Sequence, residues 1–168
     1  MGIRQAIADI RIMNELFTTA EQEAAALGDE MPGAEHLLLA VLAMPDDSAR
    51  RAFATFDVTA ADVRTAIVHT HSLALQSVGI DAAAAEPTEP TRTGPYRSAG
   101  SLQDVFQRAV ALSKEGAGRG HTLRSAHVVW AAAELEHGTV SRALRQLGID
   151  PGDLQQAARQ AVAAGETD

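Results

Sequence analysis

The chain has 168 residues, 46% hydrophobic but only 4% aromatic, with no cysteine and a net charge of −8. That length buries one good core or two small ones, and an alanine-rich, aromatic-poor composition favours closely packed helices over sheets. Lack of cysteine excludes disulfides, thiolate metal sites and cysteine nucleophiles, while an acidic first half (five arginines against eleven carboxylates in residues 1–72) with no basic stripe argues against nucleic-acid binding.

In chain order, Ile3, Ile7, Ile10, Met13, Leu16, Phe17, Ala20, Ala24 and Leu27 recur at spacings of three and four, which predicts one helix from Ile3 to Leu27. Charges spread through this segment rule out a signal-peptide core. No stretch of the chain approaches the roughly 18 uninterrupted apolar residues needed to span a bilayer, so a cytoplasmic protein without membrane contact is expected. Met1, Ile3 and Ile7 extend the apolar stripe beyond what one helical unit needs; they cover a seam, pack in a dimer, or fray. Gly28 is placed to end the helix.

A second helix starts near Ala34 and is apolar almost all round, so it should be buried, with Glu35 in its first turn complementing the helix dipole and Pro45 stopping it. Asp46, Asp47 and Ser48 are expected to cap a third helix, Ala49 to Phe56. Thr59 and Asp62 form a capping box for a fourth, which runs to about His69 with an extension toward Leu73 and Val78. Residues 81–100, with Pro87, Pro90 and Pro95, read as a linker. Four more helices are predicted near Leu102–Glu115, Ser125–Glu136, Val140–Leu147 and Pro151–Ala163, with Pro151 at a first helical position where its missing N–H matters little. Gly116, Gly118 and Gly120 make a flexible connector; GAGRGH lacks the Lys-Ser/Thr and the preceding strand of a phosphate loop.

The second half repeats the first. At an offset of 91, His36 falls on His127, Leu37 on Val128, Ala40 on Ala131, Arg51 on Arg142, Phe53 on Leu144, Val58 on Ile149, Asp62 on Asp153 and Val63 on Leu154. The first helices correspond at 89, with Phe17 on Phe106 and Ala20 on Ala109. The fold class expected is therefore all-α: two pseudo-symmetric four-helix repeats (1–80 and 101–168) around the linker, packed into one compact domain.

The block EHLLLAVL, followed by SARRAFATF, the hinge Asp57-Val58 and TAADVRTAI, and its echo in AHVVWAAA and SRALRQLGIDPGDLQQAARQAV, resembles the amino-terminal repeat domain of Clp-type AAA+ unfoldases. In that family the domain is an accessory in front of ATPase modules. The resemblance implies a groove, where the first helices meet, that takes adaptors, substrates and, in actinobacterial relatives, cyclic peptide antibiotics. It also implies that a Glu in each repeat receives the guanidinium of a phosphorylated arginine, helped by a hydroxyl near the repeat's start. The matching positions are Glu35 and Ile10 in the first copy and Ala126 and Ala99 in the second, with Ser98 and Ser101 beside the latter.

Catalytic and metal motifs are missing. His69 and His71 point to different faces of a helix, Glu134-Leu135-Glu136-His137 lacks the i, i+4 pair of a zincin, and no G-x-S-x-G occurs. His36 and His127, at equivalent places beside the buried helices, are expected to hydrogen-bond backbone. No cofactor is called for, and no Walker motif is present. The expectation is a stand-alone, non-catalytic binding module of the Clp protease and unfoldase system, taking substrates, adaptors, Clp subunits or peptide ligands. Its alternatives are a piece of a longer unfoldase and a regulatory or scaffold homodimer unrelated to proteolysis.

Overall fold

The computed structural model describes residues 2–77, 100–115 and 122–165. They form eight helices and no strand: α1 Gly2–Leu27, α2 Ala34–Leu42, α3 Ser48–Ala54, α4 Ala60–Ser77, α5 Gly100–Glu115, α6 Ser125–Ala133, α7 Thr139–Gln146 and α8 Pro151–Ala164. The expected linker lies outside the described residues apart from Gly100, which opens α5, and so does the glycine-rich connector 116–121.

Most ends follow the predicted local chemistry. Gly28 leaves α1 with φ +81. The Thr59–Asp62 box is present, with Thr59 N–H donating to Asp62 Oδ2 (2.8 Å) and Asp62 N–H donating to Thr59 Oγ1 (3.2 Å). Pro151 occupies the first turn of α8, whose N-cap Asp150 accepts from the N–H groups of Gly152 and Asp153. Helix α4 runs on to Ser77 along the expected extension, since nothing between His69 and Ser77 breaks it. One end differs from expectation. Helix α6 stops at Ala133 and not at Glu136: Glu134 and Leu135 N–H turn to the carbonyls three residues back, which tightens the last turn and lets the chain leave.

The duplication is written into the backbone. Helices α2 and α6 have identical length and begin and end 91 residues apart, and α5 corresponds to residues 11–26 of α1 at 89. Positive φ recurs at the same offset, at Asp47 and Gly138 before α3 and α7, and at Asp57 and Gly148 after them. Both latter turns close in the same way, Val58 N–H reaching Phe53 O and Ile149 N–H reaching Leu144 O, the six-to-one bond of a left-handed helix terminus.

Packing ties the copies together. The buried helices α2 and α6 lie against each other, α1 covers α2, and α5 covers α6 while also touching α2. Beyond this centre the partners cross over: α3 of the first copy packs on α6 and α8 of the second, and α4 packs on α7. One hydrophobic core therefore draws on both halves, from Leu16, Leu37 and Phe53 to Leu102, Leu144 and Leu154. Alanines such as Ala20, Ala40, Ala109 and Ala131 permit close helix contact. The equivalent rings Phe17 and Phe106 meet with centroids 4.8 Å apart, as residues do beside a two-fold axis.

Candidate functional site

The first turns of the two buried helices carry the predicted site residues. Histidine organises each turn: Gly33 N–H donates to His36 Nδ1 (2.9 Å) and Arg124 N–H donates to His127 Nδ1 (3.0 Å), as expected for structural imidazoles. Glu35 folds its carboxylate back over Gly33, where a Cβ would lie 2.9 Å from Oε2, so a larger residue at 33 would displace the Glu35 carboxylate. The second copy replaces the pair by Arg124 and Ala126. With no carboxylate overhead, residue 124 can be large, and its guanidinium turns away to the Gly165 carbonyl at the end of α8.

Behind His36 stands a short polar chain. His36 Nε2 lies 3.2 Å from Asp29 Oδ2, outside hydrogen-bond alignment, and His71 Nε2 lies 3.0 Å from Asp29 Oδ1. Burial alone would raise the Asp29 pKa, but the nearby ring N–H groups of His36 and His71 outweigh it and hold the carboxyl below its ordinary value. Asp29, Glu35 and His36 are close enough to suggest a metal centre. Hydrogen bonding argues otherwise. Since Nδ1 of His36 accepts from Gly33, the neutral ring carries its hydrogen on Nε2, the atom a metal would need bare.

Asp46, Ser48 and Ser125 make a junction that the sequence did not disclose. Asp46 and Ser48 are expected to cap their own helix; they reach instead across to α6. Ser125 N–H donates to Asp46 Oδ2 (2.8 Å) and Ala126 N–H donates to Ser48 Oγ (2.9 Å). In return Ala49 N–H of α3 donates to Ser125 Oγ (3.0 Å). Two helix N-termini thus face each other and exchange serine caps, with one carboxylate against both positive ends. Asp47, at the formal N-cap of α3, makes no side-chain cap bond and pairs with Arg50.

Beside this junction opens a cavity of about 290 Å³. Ile12, Leu16, Val41 and Met44 line it from the first copy, and Leu123 and Val128 from the second, with Glu15, Asp46 and Arg124 at its border. The wall is apolar and is built by neither copy alone.

The predicted residues are distributed unevenly around these features. Glu35 is partly exposed, its side chain 18% accessible. Ile10 lies in α1 with its side chain outside the described residues, as does Ser98 entirely. Ala126 is wholly buried and its N–H is taken by Ser48, so it offers no surface to a ligand. The hydroxyl that the structure does place at the first turn of α2 is Ser101, whose Oγ accepts from Ala34 N–H at 3.3 Å. It comes from the opposite copy, so numbering within one repeat could not pair it with Glu35. Ile12, which matches Ser101 at the offset of 89, lines the cavity beside the start of α6.

Comparison with known families gives one match: residues 11–118, more than half of the chain, fit the Clp repeat (R) N-terminal domain. The chain belongs to that family. No curated protein matches it. The matched span holds the first copy from residue 11 onward and α5, and so includes Glu35, Ser101 and the α1 and α2 walls of the cavity. As a Clp repeat domain the chain is a module that binds substrates or adaptors in the Clp system.

Proposed function

We propose that this Clp repeat domain holds an extended segment of an unfolded client or adaptor by one apolar side chain, seated in the cavity between α1, α2 and α6. The observation that carries the reading is the cavity's joint construction from both copies with an apolar wall. Its size supports a side-chain anchor: about 290 Å³ falls just under the roughly 300–1,000 Å³ of pockets that enclose a whole small molecule. That favours a protein segment over a cyclic peptide antibiotic. Glu15 at the border suits a basic residue next to the anchor.

Glu35 with Ser101 forms a second, smaller element of the proposal. A carboxylate for a guanidinium and a hydroxyl for a phosphate are the groups an arginine bearing a phosphate would use, and both stand at the N-terminal end of α2, where the dipole favours an anion. The second copy, with Ala126 buried, contributes nothing comparable.

Fluorescence anisotropy with a labelled, permanently unfolded polypeptide tests the main reading. The parent chain binds it, and Ile12→Glu with Met44→Glu weakens binding at least tenfold while the helical circular dichroism is retained. Unchanged affinity in the double variant removes the cavity from the account. Exclusive self-association, with no binding of the polypeptide, would favour the scaffold homodimer.

A further inference from the structure

Apart from the cavity, and sharing no lining residue with it, α4 and α7 leave an open groove of about 640 Å³ whose chemistry differs from everything above. His69, Leu73 and Ala74 form one bank; Arg142, Arg145 and Gln146 form the other. No carboxylate lines it. Among the described residues neither arginine makes an ion pair, whereas arginines 50, 64 and 108 do; Arg11, Arg51, Arg124 and Arg159 are likewise without one. Leu73 is 51% exposed, the most accessible large apolar side chain among those described. The two hydroxyls of the groove, Thr70 and Ser77, are spent on carbonyls of their own helix, and His69 Nδ1 and Gln146 Oε1 pair with each other between the banks (3.0 Å); the guanidiniums are left, with Arg145 Nε making only a long contact to Ser141 O (3.4 Å).

The internal repeat acts as a control on whether packing needs these residues. The matching face, between α8 and α3, is built from the same backbone at an offset of 91. There Arg145 is replaced by Ala54, His69 by Gln160 and Leu73 by Ala164, with Arg51 alone matching Arg142. Helices α3 and α8 still pack closely, so the second arginine and the exposed leucine are additions that packing does not call for, whereas the imidazole bonds Gln146 between α4 and α7. A cation in the last turn of α7 favours the helix dipole and would account for Arg145 by itself. It does not account for Arg142, whose like-charged neighbour three residues on disfavours the helix by a few tenths of a kcal/mol.

We propose that this groove docks an acidic peptide segment of a partner protein, its carboxylates paired with Arg142 and Arg145 and an apolar side chain lying on Leu73 and Ala74. Guanidiniums on adjacent turns suit bidentate carboxylates spaced three or four residues apart. The net charge of −8 does not prevent this. At physiological salt, charges beyond about 8 Å are largely screened, so the arginine pair governs the groove. This surface is separate from the cavity at α1, and the two proposals stand or fall independently.

The probe is a fluorescein-labelled peptide alternating Glu and Leu residues, titrated into the full chain and followed by anisotropy. The parent binds it, and raising the salt weakens binding. Arg142→Glu with Arg145→Glu reduces affinity at least tenfold and gains affinity for the same peptide with Lys in place of Glu. Both positions are exposed, so folding is preserved and circular dichroism verifies it. Ile12→Glu with Met44→Glu leaves this binding unchanged, which separates the groove from the cavity. No binding by the parent, equal binding by the arginine variant, or tighter binding of a single-stranded oligonucleotide than of the peptide would overturn the proposal.

Discussion

Gly138 and Asp47 occupy matching positions before α7 and α3, yet only one of them could be anything but glycine. Asp47 sits at φ 56, ψ −11, a left-handed conformation that aspartate tolerates; Gly138 sits at φ 102, ψ −170, where a side chain is strained. A Cβ added to Gly138 meets nothing within 4 Å, so the penalty of Gly138→Ala is conformational alone. We expect a loss of about 1–3 kcal/mol, read as a fall in Tm of roughly 2–4 °C per kcal/mol for a chain of this size. Asp47→Gly should change Tm little. Asp29 gives a prediction of a different kind. Because its folded pKa is depressed, its contribution is fully present above the ordinary aspartate value of about 3.9 and is lost as pH falls through the lower folded value. Asp29→Asn should therefore flatten the acid limb of the stability curve in urea denaturation, and an unaltered acid limb would mean that the two histidines do not hold the carboxylate.

At the scale of elements, the head-to-head meeting of α3 and α6 is the feature most open to measurement. Ser48→Ala and Ser125→Ala each leave a buried N–H without its cap, at about 1–2 kcal/mol apiece. The two hydroxyls also lie 3.0 Å from each other, so their effects should be coupled by about 0.5–3 kcal/mol in a double-mutant cycle and not simply add. Additive losses would show the caps to be independent. This junction also marks where sequence reading stops. The helices themselves were legible, because the three-four spacing of α1, the Thr59–Asp62 box and Pro151 are local signals whose partners lie within one turn. Asp46 and Ser48 carry the same local signal as any cap, and only tertiary packing decides that they serve a helix 79 and 78 residues away. The site was legible to a similar degree: Glu35 could be named from the resemblance, while Ser101, supplied by the other copy, and the cavity wall, shared between copies, depend on how the halves cross.

Across the whole molecule, the crossing of α3 onto α8 and α4 onto α7 means that neither copy has a complete core of its own. The functional consequence is that a docking surface shared between copies exists only when both are folded. A methyl-resolved NMR titration of the intact chain with an unfolded, unlabelled polypeptide tests this most directly. The account predicts shift changes in the methyl groups of Ile12, Leu16 and Met44 from the first copy together with Leu123 and Val128 from the second, at one common affinity. Perturbations confined to one copy, or absent from these methyls while the polypeptide binds elsewhere, would contradict it.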